Sequence, residues 1–209
     1  MKRTYECIAR RMGVMVLQAL FVVTVAAQTD YDMRYTVAFD TLGHYLKVQL
    51  DYQQNSQVNE LVLNMPRWTP GYYEMLNFPK HLCDFVAEDV QGKPLSWKKD
   101  GMNRWRISLP VDGKAHVSYR VYANQRDVAS SRVEGNLAFV APAGVFMYVD
   151  GQTVHPVTVH FDMPITWEHI ATGLVPHKDE RSTFMVKDFD TLYDSPFLLG
   201  NFYVSRFCA

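Results

Sequence analysis

The strongest constraint on this fold is a period-two alternation of apolar and polar residues, repeated in short segments along most of the chain. Between Arg34 and Asp40, the apolar residues Tyr35, Val37 and Phe39 stand at every second position. Successive side chains of a β-strand point to opposite faces, so this spacing predicts a strand with one buried face. Similar alternation or a short apolar run recurs at 45–50, 61–65, 117–121, 137–140, 145–149, 154–161 and 184–186. Gly, Pro, Asn and Asp turns separate these segments, and the set predicts an all-β fold, a β-sandwich.

Helical patterning is scarce, which agrees with the all-β prediction. The segment 73–82 has room for a turn or two of helix, but Pro79 interrupts it. No other segment has apolar residues at three-and-four spacing over a useful length. The stretch from Phe197 to Phe207 has a strand-like sequence that continues almost to the last residue. We therefore interpret the sequence as truncated before a further domain, because an unfinished strand leaves unpaired edge groups.

The first residues have the three parts of a secretory signal peptide. Basic residues stand within 2–11, an apolar run fills 12–25, and small residues precede a cleavage point after Ala27. The apolar run is short for a membrane-spanning helix, which needs about 20 residues. We predict a signal peptide at 1–27 and a mature β-domain at 28–209. That domain would be exported to the periplasm or secreted, without a membrane anchor after cleavage.

The charge of the mature part argues against nucleic acid as a partner. Without the four basic residues and one acidic residue of the leader, 17 Lys and Arg stand against 21 Asp and Glu, a formal charge of −4. No cluster of Lys and Arg offers the stripe that contacts to phosphates require. We therefore expect no nucleic-acid partner.

Seven histidines invite a search for a metal site, but their spacing does not supply one. The zinc peptidase motif His-Glu-x-x-His, which places two imidazoles on one helical face, does not occur. His155 and His160 are five positions apart, so on a regular strand they point to opposite faces. The run Asp188, Asp190 and Asp194 lacks the EF-hand spacing and is typical of turn-capping or solvated residues. We predict no metal site within this sequence.

No nucleophile for covalent catalysis can be assigned either. Ser195 precedes Pro196 in a predicted turn, and the Gly-x-Ser-x-Gly elbow is missing. After cleavage of the leader, Cys83 and Cys208 remain, and they either pair in an oxidising compartment or leave Cys83 as a buried free thiol. The sequence therefore predicts no catalytic residues.

A loop with two prolines, one glycine and three large aromatic residues follows the predicted strand 61–65. Its sequence is Pro-Arg-Trp-Thr-Pro-Gly-Tyr-Tyr, at 66–73. The dipeptide Pro70-Gly71 suits the centre of a type II turn, in which the second residue needs a positive φ. The side chains of Trp68, Tyr72 and Tyr73 would then be held at defined angles, so that the loop either plugs one end of the domain or faces a ligand.

Two further segments are informative together with this loop. Trp167 is followed by Ala171-Thr172-Gly173-Leu174, and the stretch 188–196, Asp-Phe-Asp-Thr-Leu-Tyr-Asp-Ser-Pro, is followed by Gly200. The loop resembles a W-x-P-G-S-Y loop with tyrosine in place of serine. The others are similar to a tryptophan before an A-T-x-L run and to D-Y-D-x-L-x-D-S-P-x-x-x-G. In this order and over about 34–207, the three resemble the N-terminal domain of the glycyl aminopeptidase family of zinc metallopeptidases, peptidase family M sixty-one.

The resemblance implies a β-rich domain that precedes a thermolysin-like catalytic domain with His-Glu-x-x-His and then a PDZ domain. That family removes N-terminal glycine or other small residues from peptides through a zinc-activated water. The resemblance therefore implies that zinc belongs to a catalytic domain beyond this sequence. It also implies that the β-domain of this sequence packs on that catalytic domain and is inactive alone. Peptide substrate is a further implied partner. Candidates for the cleft wall or the domain interface are Trp68, Pro70, Gly71, Tyr72 and Tyr73.

An alternative hypothesis is a stand-alone secreted module that binds a glycan or a peptide through the aromatic loop. The coding DNA past Ala209 separates the two hypotheses. We expect a His-Glu-x-x-His motif under the first, and a stop followed by unrelated sequence under the second.

Overall fold

The computed structural model describes residues 31–54, 58–69, 71–125, 127, 129–178 and 180–205. The predicted signal peptide lies outside the described residues. No helix in the described part of the chain is long and apolar enough to cross a membrane. The described strands are β1 (Tyr31–Asp40), β2 (Tyr45–Gln54), β3 (Glu60–Asn64), β4 (Leu82–Glu88), β5 (Trp97–Lys99), β6 (Arg104–Ser108), β7 (Lys114–Tyr122), β8 (Arg132–Glu134), β9 (Leu137–Val140), β10 (Tyr148–Val149), β11 (Val157–Asp162), β12 (His169–Ala171), β13 (Thr183–Val186) and β14 (Phe197–Gly200). One short helix, α1 (Phe189–Tyr193), and two 3₁₀ turns, Phe78–His81 and Pro142–Gly144, complete the described elements.

The strands form three sheets, which confirms the all-β prediction with little helix. A six-stranded sheet has the order β13-β11-β1-β2-β7-β4, and four-stranded sheets have the orders β10-β3-β6-β5 and β12-β14-β9-β8. Pairing is antiparallel throughout except between β1 and β11, which run parallel. A parallel pair of strands needs a long crossover connection. The strands of the two smaller sheets lie either within the connection from β1 to β11 or after β11 in the chain.

The period-two pattern predicted for β2 and β7 is present in the structure. Leu46, Val48 and Leu50 are buried, whereas the residues between them are exposed. In the pairing register, Val48 lies opposite Tyr119 and Leu50 opposite Val117, so both strands contribute to one buried face. That face belongs to a single apolar core to which all three sheets contribute.

Three tyrosine hydroxyls fix the backbone that follows the Pro142–Gly144 turn. Tyr119 donates a hydrogen bond of 2.7 Å to the carbonyl of Val145, and Tyr193 donates one of 3.1 Å to the carbonyl of Phe146. Tyr35 donates to the carbonyl of Met147. Burial raises the pKa of Tyr119 far above its ordinary value, so its hydroxyl remains a donor throughout the physiological pH range.

Three predicted segments differ from the structure. The run 145–149 is a strand only at Tyr148–Val149, because the carbonyls of 145–147 accept the tyrosine hydroxyls instead of pairing with a neighbouring strand. A buried apolar run has the same sequence appearance in either arrangement. The strand predicted at 197–207 ends at Gly200, after which Asn201 ties the chain to the carbonyl of Thr166. The weak helical pattern at 73–82 yields only the 3₁₀ turn at its end.

Candidate functional site

The aromatic loop after β3 is closed by hydrogen bonds within itself. The amide of Tyr72 donates to the carbonyl of Thr69 at 3.2 Å, and the amide of Leu76 donates to the carbonyl of Arg67 at 2.7 Å. Gly71 has a φ of 81°, which confirms the predicted positive φ at the second central position of the turn. The indole Nε1 of Trp68 donates to the carbonyl of Tyr72. The loop therefore has a defined shape; Pro70, also a predicted site residue, lies outside the described residues.

The structure divides the predicted site residues between two environments. Gly71 and Tyr72 line a cleft, and the Tyr72 side chain is half-buried. Trp68 is 50% exposed and Tyr73 is fully exposed, and neither lines that cleft. Met75, which the sequence analysis did not select, is 65% exposed on the same loop. We refer to Trp68, Tyr73 and Met75 as the loop patch.

The cleft has a volume of about 250 Å³ and joins two of the three segments that carry the family resemblance. Its floor is formed by the half-buried Phe139 of β9 and by the buried residues Ala141, Pro142 and Ala143 that follow this strand. Its other sides come from the loop and from the end of α1. We refer to it as the aromatic cleft, lined by Thr69, Gly71, Tyr72, Ala129, Phe139, Ala141, Pro142, Ala143, Tyr193, Asp194 and Pro196.

The segment from Asp188 to Pro196 holds its shape through local hydrogen bonds. Asp188 is the N-cap of α1, and its carboxylate accepts from the amide of Thr191 at 2.7 Å. The hydroxyl of Ser195 donates to the carbonyl of Thr191 at 2.7 Å. Asp188 therefore has the turn-capping role expected for this acidic run, and Ser195 is a structural residue here.

Replacing Asp188 with alanine should lower the free energy of unfolding by about 1 kcal/mol, because an N-cap acceptor is lost. Hydrogen bonds from the Thr191 side chain, and then from its backbone, lower the pKa of Asp188. A lowered pKa means that the stabilising effect is present above the unfolded pKa of about 3.9 and is lost as the pH falls through the folded pKa. The free energies of unfolding of wild type and variant, measured with urea, should therefore differ at pH 7 and converge as the pH falls through the lowered pKa of Asp188.

The neighbouring carboxylate provides the control for this pH dependence. Asp190 lies in the same short helix and is exposed, so Asp190→Ala should change stability less than Asp188→Ala at pH 7. A stability difference for Asp188→Ala that stays constant from pH 7 to pH 2 would contradict the capping role.

The third family segment lies outside the aromatic cleft. Trp167 is buried, its ring centroid lies 4.9 Å from that of Phe39, and its indole donates to the carbonyl of Gly135 at 3.4 Å. Ala171 ends β12 at the edge of a sheet. Trp167 thus packs on β1 and on the turn before β9, and Ala171 pairs with Leu198 of β14; neither residue lines the cleft.

A larger cleft, of about 510 Å³, was not predicted from the sequence. This cleft lies at the start of β7. The aromatic cleft instead includes Ala129, which comes after the last residue of β7. Asp51 and His116 lie opposite each other in the β2–β7 register, and His116 Nδ1 is 2.7 Å from an Asp51 oxygen. The pairing of strand 45–54 with strand 114–122, if predicted, would have placed the Asp51 and His116 side chains next to each other. Other carboxylates lining it are those of Asp32, Glu88 and Asp89.

Cys83, His155 and His160 line neither of the two clefts. Cys83 is half-buried, and burial raises the pKa of its thiol. Cys208 lies outside the described residues, so its pairing with Cys83 stays a prediction. His160 Nδ1 is 2.7 Å from the Thr183 hydroxyl. Within 31–205, apart from the residues not described, no three His, Cys, Asp or Glu residues are grouped so that they could hold a metal ion.

Comparison with solved structures supports the fold. The crystal structure of an aminopeptidase N family protein from Idiomarina loihiensis matches with a TM-score of 0.76 and 29% identity, over 85% of this chain and 30% of that protein. An M1 zinc metallopeptidase from Deinococcus radiodurans matches at 14% identity and a TM-score of 0.44, over 81% of this chain and 41% of that one. No match was found among curated proteins. This chain thus spans less than a third of the Idiomarina protein.

The comparison with family models identifies the domain. The model described as Peptidase M61 N-terminal domain matches residues 34–201, which include the aromatic loop, Trp167 and the α1 segment. That range covers most of the chain and the three sheets described above. The chain belongs to the peptidase M61 N-terminal domain family.

Proposed function

We propose that this chain acts as the non-catalytic N-terminal domain of an exported, glycyl-aminopeptidase-like zinc metallopeptidase. In that role it packs on the catalytic domain and forms one wall of the substrate cleft. The observation that carries the proposal is the position of the loop patch beside the aromatic cleft, on one loop of a domain of this family. A partner covering the patch would lie next to the cleft.

The loop patch has the composition of a protein interface. Single exposed apolar residues are common on soluble proteins, but here three large side chains stand within eight residues. Trp, Tyr and Met are enriched at the cores of interfaces, where aromatic residues often contribute most of the binding free energy. The loop is also fixed by its internal hydrogen bonds, so little conformational entropy is lost when a partner covers it.

Zinc enters this proposal only through the catalytic domain. The described residues do not fit a zinc site, because they offer no group of three metal-ligating side chains. We therefore assign no chemical step to this chain. Its contribution is to position a surface and to exclude water from one side of a cleft.

Export is proposed from the leader alone. The basic residues, the apolar run and the small residues before Ala27 have the order of a signal peptide. The proposed location is the periplasm or the medium, where peptides are available as substrates.

The purified chain is expected to bind no stoichiometric zinc and to leave glycyl peptides uncleaved. The coding DNA past Ala209 is expected to encode His-Glu-x-x-His. Zinc content by mass spectrometry, hydrolysis assays and sequencing provide the three measurements. Metal-dependent turnover by the chain alone would contradict the proposal. A stop followed by unrelated sequence would favour the stand-alone glycan- or peptide-binding module instead.

A further inference from the structure

The floor of the aromatic cleft is apolar. Ala129, Ala141, Pro142 and Ala143 are buried and line the cleft together with the half-buried ring of Phe139. Its volume of about 250 Å³ is below the usual range of about 300–1,000 Å³ for small-molecule pockets. A single long side chain suits this space better than a whole compact ligand.

The rim of the cleft carries one negative charge. Asp194 is exposed at the end of α1, and the described residues offer its carboxylate no hydrogen bond or ion pair. Among the described lining residues there is no Lys, Arg or His to neutralise it. The rings of Tyr72 and Tyr193 stand half-buried at the same cleft, and aromatic faces attract cations.

A small apolar cleft with a carboxylate at its rim is complementary to a side chain that has an apolar stem and a cationic head. Lysine and arginine have this construction, and their stems commonly lie along apolar surface while the head stays near water. A peptide's N-terminal ammonium carries no such stem and would leave the floor unfilled. We propose that the aromatic cleft binds a lysine or arginine side chain of an extended peptide, with Asp194 as the partner of the cation. The inference rests on the proposed function, because it names the substrate class of the same cleft.

The test uses NMR titration of the ¹⁵N-labelled chain at low salt with three tripeptide amides, two of which are also acetylated at the N-terminus. Acetyl-Gly-Arg-Gly-amide is the ligand, the citrulline peptide is its neutral isostere, and Gly-Gly-Gly-amide with a free amino group supplies an ammonium without a stem. The arginine peptide should shift the amides of Tyr72, Ala143 and Asp194 and bind about five- to tenfold more tightly than the citrulline peptide. Asp194→Asn should abolish that difference, whereas Asp190→Asn, on the same helix outside the cleft, should preserve it.

Three outcomes would overturn the inference. They are equal binding of the arginine and citrulline peptides, tighter binding of the triglycine peptide, and an arginine response that Asp194→Asn leaves unchanged. The measurement needs no catalytic domain. If the arginine peptide fails to bind as expected, the proposal that the chain packs on a catalytic domain is therefore unaffected. If the coding sequence lacks His-Glu-x-x-His, the comparison of the arginine and citrulline peptides still tests the cleft itself.

Discussion

Replacing Gly200 with alanine should destabilise the domain by about 3 kcal/mol or more, the range reached when backbone strain and a steric clash coincide. Gly200 ends β14 with a φ of 131°, a backbone conformation that residues other than glycine rarely adopt. A Cβ there would lie 2.2 Å from the carbonyl oxygen of Asn136 and 2.8 Å from the Cα of Leu137. These are backbone atoms of the paired strand and the turn before it, so they cannot move without disturbing the β9–β14 pairing.

A matched glycine provides the control for this prediction. Gly135 lies in the adjacent turn, its φ is not positive, and a Cβ there would meet no atom within 4 Å. Gly135→Ala should change the free energy of unfolding by no more than about 0.5 kcal/mol. Urea unfolding at pH 7 measures both variants, and equal midpoints for Gly200→Ala and wild type would contradict the close approach.

Replacing Phe161 with alanine should lower the free energy of unfolding by about 3–5 kcal/mol, the range for removing a buried phenylalanine ring. Phe161 is 1% exposed on β11, and its ring centroid lies 4.7 Å from that of Phe197 on β14. It also contacts the rings of Phe39 and Phe184, each at 6.2 Å between centroids. The ring therefore joins the six-stranded sheet to the sheet that contains β14, and its loss leaves a cavity between them.

Two further variants separate the cavity effect from a general effect of substitution. Phe161→Leu retains much of the buried volume and should cost less than half as much as Phe161→Ala. Val111→Ala removes a fully exposed side chain and should leave the unfolding midpoint within error of wild type. A loss below about 1 kcal/mol for Phe161→Ala, measured by urea unfolding, would show that this ring does not join the sheets.

The sequence predicted β1, β2 and β7 because their alternation of apolar and polar residues is imposed by one buried face. β2 and β7 are the clearest cases, since each places every second side chain in the core. β5, β8, β12 and α1 were not predicted because elements of three to five residues are too short to show a period. β4 and β6 were not predicted either; the register of β4 with β7 shifts between Cys83 and Val86, and the burial of β4 does not alternate regularly. The strand prediction for 145–149 was wrong over 145–147, because a buried apolar segment stabilised by tyrosine hydroxyls has the composition of a strand.

The candidate site was predictable only in part. The positive φ of Gly71 follows from the Pro-Gly pair, because few other residues accept that conformation. The floor of the aromatic cleft could not be predicted, since Ala129, Phe139 and Ala143 are ordinary residues that only the tertiary fold brings under Tyr72. Asp194 was recognised as one of three acidic residues, but its place at the rim depends on the orientation of α1.

The central claim is that the loop patch is covered by a catalytic domain. Hydroxyl-radical footprinting of the chain alone and of the proposed longer protein, in which the chain precedes a catalytic domain, tests this claim most directly. Trp68, Tyr73 and Met75 should be modified readily in the isolated chain and be protected about fivefold or more in the two-domain protein. Met185, 63% exposed on β13, should react equally in both and serves as the internal control. Equal modification of the loop patch in the two proteins would contradict the account.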